Sequence, residues 1–384
     1  MNLLFLTRAD AFQNRGGDTI QLESLAAEFR HRGHDVKTHA GIRFALPPDI
    51  TLVHIFNLQR VGEAAAQVAR LAKRSVPVVI SPIAGDTAAL DSEGRSALRR
   101  TLAVATPEAW LEIGKHLRRA LSGVGEFGSI LPLLTRGPGE LRRRVFRRCQ
   151  GIYPNSEWEA RWLETMLTPA QRELMAIVPN GVDVGLLQRG HGASDFRGRF
   201  GISFDRFVLS VARFDERKNN LRLIQAARRV GVPCVLVGKP APLHRSFFER
   251  CAAEAQGTAT VRIITEHMSQ EELVGAYRAA WVHALPSWLE TPGLSTLEAG
   301  LCGANLVVGE CPAVREYLGE GAWYCDPGDV QSISSTLEEA IQAPRNLHEI
   351  AEIIQTRYSW RAVAGRQEQL YEGVLAGWAV RGRQ

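Results

Sequence analysis

Short apolar runs recur along the chain, separated by stretches whose apolar residues return at helical spacing. Leu3–Thr7 is the first such run. Thr19–Arg32 carries Ile20, Leu22, Leu25, Ala26 and Phe29 on one side and closes with His31-Arg32-Gly33-His34, cations followed by a glycine. Further strands are expected at Val36–His39, Ile50–Phe56 and Val76–Ile80, with Gly151–Pro154 and Ala176–Pro179 as the last of this set. Residues 91–150 read as mostly helical, interrupted at Ser122–Gly128. Asn180-Gly181-Val182-Asp183 is a turn-rich boundary, followed by a loose polar segment to about Gly201. The alternation then restarts. Strands are expected at Phe207–Val211, Cys234–Val237, Val261–Ile264, Trp281–Leu285 and Asn305–Val308. Helices are expected between them at Asn220–Val230, His244–Ala255, Glu271–Ala280 and Ser295–Leu301, and a last helix at about Trp360–Leu375. Strands alternating with helices in this way predict two α/β units, each a doubly wound parallel sheet with crossover helices.

Composition narrows the class. The 384 residues correspond to about two domains. A 45% share of hydrophobic residues and 23% of charged ones is enough to bury two cores. No run approaches the length of a membrane span. The start, Met1–Arg8, lacks a basic leader region and a cleavage site, so it reads as a first strand and the protein as cytoplasmic. None of the six cysteines forms a C-x-x-C pair, which points to buried free thiols. The formal net charge of +5 is uneven: residues 95–148 hold 12 Lys/Arg against 4 Asp/Glu, leaving the remainder net acidic. Such a stretch is either a solvated basic face or a surface for an anionic partner, namely a charged acceptor or the inner face of an anionic membrane. It lacks interleaved aromatics, so no nucleic acid is expected.

In open parallel sheets, ligands bind beyond the carboxyl ends of the strands, where helix N-termini favour anions. Four segments fall there. Gly16-Gly17-Asp18-Thr19 would let backbone approach a diphosphate, although it is neither a GxGxxG nor a P-loop. Arg213 and Lys218 are five residues apart in a loop that could bring two cations to one diphosphate. Ser287–Ala299 places Glu290 in a loop and Glu298 within the next helix, with Gly293, Leu294 and Ser295 at that helix's start. Ser81–Asp86 follows the strand Val76–Ile80. Taken singly, each also reads as an ordinary loop, a charged surface or a helix cap.

Taken in order, these segments resemble the retaining glycosyltransferases of family 4. The strongest element is the pair of glutamates separated by seven residues, Glu290 and Glu298, in P-S-W-L-E-T-P-G-L-S-T-L-E-A-G. V-P-N-G-V-D at Val178–Asp183, V-A-R-F-D-E-R-K-N at Val211–Asn219, L-V-G at Leu236–Gly238, S-Q-E-E-L-V-G-A-Y-R-A-A and Y-C-D-P-G-D at Tyr324–Asp329 accompany it. The resemblance spans nearly the whole chain. It implies a GT-B fold, two Rossmann-like domains facing across a donor-binding cleft. Residues 1–182 would form the acceptor-side domain, completed by the terminal helix of 360–384, and residues 183–359 the nucleotide-sugar domain. It further implies that Arg213 and Lys218 neutralise the donor diphosphate, that Gly16 and Gly17 close over the phosphates, and that Gly293, Leu294 and Ser295 offer amides. Glu298 would bind ribose, Glu290 would contact the transferred sugar, and the base would lie near Thr265–Met268, by His267 and Met268. The implied reaction moves a hexose from a UDP- or GDP-sugar to a hydroxyl of a saccharide or lipid-linked acceptor. It needs no metal or other cofactor, because cations and the helix dipole stabilise the leaving diphosphate. Many relatives carry a histidine after the strand matching Val76–Ile80. Here Ser81-Pro82 stands there, and Asp86 is the candidate for that catalytic role. A catalytically impaired sugar-nucleotide binder or scaffold of the same fold is the main rival; an epimerase or a pyridoxal-dependent phosphorylase ranks well below it.

Overall fold

A computed structural model describes residues 1–85, 108–123, 126–190, 192–241, 244–345 and 349–381. The described chain forms two compact units. One gathers residues 1–85, 108–180 and 360–381, and the other 181–359.

The first unit is built on β1 (Asn2–Thr7), β2 (Asp35–Ala40), β3 (Leu52–Phe56), β4 (Val78–Ser81) and β5 (Cys149–Ile152). All pair in parallel, in the order β2-β1-β3-β4-β5. β3 and β4 are buried along their whole length, as expected of strands covered on both faces. The covering helices are α1 (Gly17–His31), α2 (Val61–Leu71), α3 (Glu108–Leu121), α4 (Ile130–Arg148) and α5 (Glu157–Glu164). α4 breaks at Gly137, whose φ is 73°, just before Pro138.

The second unit opens with α6 (Ala193–Phe200), which ends on Gly201 in the left-handed region at φ 59°. β6 (Val208–Val211), α7 (Asn220–Arg229), β7 (Cys234–Val237), α8 (Arg245–Ala255), β8 (Val261–Ile264), α9 (Gln270–Ala279) and β9 (Val282–Leu285) follow. α10 (Leu294–Leu301), β10 (Asn305–Gly309), α11 (Pro312–Leu318), β11 (Trp323–Cys325), α12 (Val330–Gln342) and α13 (Glu349–Arg357) complete it. Its six parallel strands run β11-β10-β9-β6-β7-β8, the dinucleotide-fold order read from one edge.

The last helix, α14 (Trp360–Arg381), belongs to the first unit and packs on α1. Tyr371 fixes it: the ring stacks on Phe29 at 5.2 Å and the hydroxyl meets His54 Nδ1 at 2.5 Å. Arg32 and His34 both pair with Glu368 on the same helix.

Two expectations need correction. Ala176–Pro179 is not a strand. The short β5 offers it only a bridge between Ile152 and Met175, made by the Ile152 N–H to Leu174 and the Ala176 N–H to Ile152, and one further backbone hydrogen bond, from Val178 to Pro154. The polar segment before Gly201 is not loose, since it holds the turn Leu186–Arg189 and α6. All six cysteines are unpaired; five are buried and Cys302 is partly exposed. Among the described residues, no helix is long and apolar enough to cross a membrane.

Candidate functional site

In the second sheet the strand order reverses between β6 and β9, because the chain leaves β6 towards one edge and returns at β9 towards the other. At such a switch point the loops after the two strands diverge to opposite faces and leave a crevice at their carboxyl ends. The loop after β6 carries Arg213 and Lys218, and the loop after β9 carries Glu290. The two loops are joined directly: Trp288 N–H donates to the Arg217 carbonyl at 2.9 Å, and Lys218 Nζ meets Glu290 Oε1 at 2.6 Å.

This ion pair is buried on both sides. Burial pushes the Glu290 carboxyl upward, but Lys218 and Arg217 outweigh it and hold the group below its ordinary value, so Glu290 is ionised. Burial lowers Lys218 against the pull of the same carboxylate. His283, on β9 and fully buried, is driven down to about 3 by burial and by the Lys218 charge, and stays neutral. Asp215 accepts the Lys218 backbone N–H at 3.0 Å, fixing the tight turn. Arg213 is more exposed, with Asp215 at 3.9 Å. Asn219, left-handed at φ 60°, donates to the carbonyls of Pro286 at 3.0 Å and Pro327 at 2.8 Å, so one side chain ties three loops together.

α10 starts in the same crevice. Gly293 adopts φ 85°, and a Cβ there would come within 3.0 Å of Leu285 and 3.5 Å of Glu290 Oε2, so glycine allows the close turn. The turn leaves the first amides of α10 at Leu294 and Ser295 without intrahelical acceptors, suited to an anion. One turn further on, Glu298 Oε2 accepts from the Tyr277 hydroxyl at 2.7 Å. Burial raises Glu298 to about 7, with the Tyr277 hydrogen bond opposing and the charge of Asp183 adding. Met268 is buried and His267 exposed in the loop after β8, at the same carboxyl end of the parallel strands. Arg213, Lys218, Glu290, Gly293, Leu294, Ser295, Glu298, His267 and Met268 thus all lie at one end of one sheet. No group of three or more His, Cys, Asp or Glu among the described residues is placed to hold a metal ion.

The first unit has its own switch point, between β1 and β3. Gly16 caps α1 there and Gly17 is its first residue. A buried ionic network that sequence reasoning missed lies beneath this loop. Arg8 binds Asp18 at 2.6 Å, Asp10 at 2.5 Å and the Asn14 carbonyl at 2.7 Å. Arg60 reaches Asp10 at 2.6 Å and Glu63 at 3.2 Å, Glu63 accepts the Ala9 N–H at 2.8 Å, and Asn57 donates to Asp18 at 2.9 Å. Both aspartates are held below their ordinary values: burial opposes this, but the arginines win. The available signal was an arginine placed directly after a largely apolar strand, with two aspartates within ten residues.

The segment after β4 is also fixed from below. Ser81 Oγ lies 2.9 Å from Nε2 of His54, which burial drives down to about 3. Glu159, on α5, accepts the N–H of Ala84 and of Asn155, each at 2.7 Å. Burial raises this carboxyl to about 7 while the backbone donors, including Ile83, hold it down. Ile83 is left-handed at φ 50°, and a Cβ at Gly85 would strike the Trp158 ring at 2.4 Å, so the segment lies flat on α5. Asp86 lies outside the described residues.

Residues 196–357 match the family model described as "Glycosyl transferases group 1". The MMP alpha-(1->4)-mannosyltransferase of Mycolicibacterium hassiacum is 27% identical over 259 residues, 64% of this chain and 60% of that protein. The D-inositol 3-phosphate glycosyltransferase of Acidothermus cellulolyticus is 32% identical over 194 residues, 46% of this chain and 42% of that protein. The chain therefore spans less than two thirds of the length of these relatives. Sucrose-phosphate synthase of Thermosynechococcus elongatus superposes with a TM-score of 0.73 over 98% of this chain and 100% of that one, at 15% identity. Anabaena HepE in complex with UDP superposes at 0.69 over 97% and 100%, at 16% identity. At that identity the likeness concerns the fold, which is GT-B. The chain carries a group 1 glycosyltransferase domain, and the recognition drawn from its motifs stands.

Proposed function

We propose that the protein is a retaining glycosyltransferase that moves a hexosyl group from a UDP- or GDP-sugar to an acceptor hydroxyl in polysaccharide or glycoconjugate synthesis. The observation that carries this reading is the buried Lys218–Glu290 pair bridging the two loops at the switch point of the second sheet, 2.6 Å apart. A cation and a carboxylate fixed to one another beside a helix start suit a ligand with a diphosphate at one end and hydroxyls at the other. Mannosyltransferases and glycosyltransferases among the relatives, and the UDP held by HepE, support the same class of donor.

In this reading the diphosphate lies against the Leu294 and Ser295 amides, with Arg213 and the free donors of the Lys218 ammonium on its oxygens. Ionised Glu290 accepts hydroxyls of the sugar, and Glu298 accepts those of the ribose. The base packs by His267 and Met268. Gly16 and Gly17 offer the first amides of α1 to an anionic oxygen. The bond between the anomeric carbon and the phosphate oxygen breaks, its electrons leaving with the diphosphate. The acceptor oxygen bonds the same face of that carbon, and its proton passes to the departing phosphate oxygen. Positioned charges carry the rate, with no metal required. The acceptor is a saccharide or a lipid-linked saccharide, and the protein works in the cytoplasm, in peripheral contact with the inner face of an anionic membrane.

The test is a panel of UDP-, GDP- and ADP-linked glucose and mannose, followed first by thermal shift and then by hydrolysis and transfer. One donor should stabilise the protein and be turned over, and Glu290→Gln should retain binding while losing transfer. A stabilising donor that is never hydrolysed or transferred by the wild type would overturn the enzymatic reading in favour of a binder.

A further inference from the structure

α2 and α4 lie side by side on the first sheet, and between them runs a groove of about 420 Å³. Apolar side chains line it, Ala65, Val68 and Leu141 buried and Ala69 and Ala72 exposed, together with Arg136, Arg144 and Arg147 from α4. The α4 side is strongly cationic. Arg143, Arg144 and Arg147 share one carboxylate, Glu140, and Arg144 and Arg147 keep 49% and 59% of their side chains exposed. Arg148 is spent differently, donating to the carbonyls of Arg74 at 3.2 Å and Val76 at 2.6 Å.

Arg74 and Val76 precede β4, and Arg148 precedes β5, so this end of the groove lies by the amino ends of the strands. The loops that follow β1, β3 and β4 are at the opposite end of the same sheet. The arginine cluster is therefore no part of the crevice at those loops, and an acceptor seated there would not reach it.

We infer that the α2–α4 groove is a docking site for an anionic phospholipid surface, a headgroup phosphate entering between the arginines with the glycerol end of the lipid against the apolar lining. This rests on the peripheral contact proposed above and names its site. An apolar lining beside a row of cations fits an amphiphilic anion better than a fully hydrated one, because a strongly hydrated anion would gain nothing from the apolar side chains. Each cation near an anionic bilayer strengthens binding several-fold, in a salt-dependent way.

The experiment is co-sedimentation of the full chain with vesicles of phosphatidylcholine, with and without phosphatidylglycerol, at low and moderate salt. The combined variant Arg136→Gln, Arg144→Gln, Arg147→Gln should lower partition onto anionic vesicles by roughly a hundredfold. Ala69→Glu, which keeps every arginine and places a carboxylate in the lining, should lower it as well. Both variants should retain wild-type donor binding, which shows that they are folded. Equal binding of wild type to neutral and anionic vesicles, unchanged binding of the variants, or displacement of the protein by soluble glycerol phosphate would each overturn the inference. Vesicle binding as expected, in a protein that turns over no sugar nucleotide, would leave the groove standing and remove the glycosyltransferase reading instead.

Discussion

Replacing Glu159 by glutamine isolates the cost of a carboxylate buried against backbone amides. An ordinary glutamate titrates at 4.5, and burial brings Glu159 to about 7. Between those values the folded protein holds a proton that the unfolded chain has released. Stability from this group is therefore complete below 4.5 and falls as pH rises towards and through 7. The whole window is worth on the order of 3 kcal/mol, of which roughly 1 kcal/mol falls between about pH 6 and pH 8. Glu298 is raised to about 7 by the same cause and adds a slope of the same sign, so the wild-type slope alone cannot be assigned. The difference between wild type and Glu159→Gln can. Urea unfolding should give a variant whose stability relative to wild type improves by roughly 1 kcal/mol between those pH values. Trp158, seated on Gly85, reports the same segment by fluorescence. A pH-independent difference would refute the argument and mean that the backbone amides of Ile83, Ala84 and Asn155 solvate the carboxylate as well as water does.

Arg213→Ala and Lys218→Ala should each weaken sugar-nucleotide binding by about 1.5–3 kcal/mol and leave the free nucleoside unaffected; equal losses for both ligands in calorimetry would remove the diphosphate assignment. Transfer should survive EDTA undiminished, whereas a loss restored by manganese or magnesium would sink the metal-independent reading. Tyr277→Phe deletes the hydrogen bond that holds Glu298 down, so the rise of nucleotide affinity with pH, centred near 7 in the wild type, should move to higher pH. An unshifted profile would show that Glu298 does not titrate in that step.

The sequence reveals what periodicity and chain order encode. Alternating runs placed every strand of the second sheet except β11, whose three residues, Trp323–Cys325, are too few for a pattern. The two glutamates, the arginine and the lysine stood out because their residue types and spacing are rare together. What escaped were contacts between residues far apart in the chain. Nothing near Lys218 in sequence says that its partner is 72 residues away. His54 stands inside the run Ile50–Phe56 without any mark of its role, and only the packing of α14 makes it a link between Tyr371 and Ser81. Glu159 carries no signal in the sequence, since helical spacing alone does not reveal that α5 turns it under the segment after β4. The arginines of 142–148 were visible as charge, but Glu140 as their shared partner and the amino end of the sheet as their place were not.

These hidden contacts share a logic. Both units place their candidate loops at the carboxyl ends of parallel strands, where strand ends alone leave backbone free to move. Each loop is then held from beneath by a buried polar group: Arg8 under Gly16, Glu159 under Ala84, and Asp215 and Asn219 under Lys218. A buried charge is costly unless it is paired or hydrogen-bonded, and here the pairing is spent on loop backbone rather than on the core. Such support fixes an anion-binding loop before its ligand arrives, which lowers the ordering cost of binding. It also separates two kinds of damage. Changing Glu290 should alter what the site does to a bound donor, and changing Lys218 or Arg213 should weaken its hold on the diphosphate while leaving the fold intact. Changing Arg8, Asp18 or Glu159 should alter whether the loop is in place, and should therefore appear first as a loss of stability or of binding with the chemical step preserved.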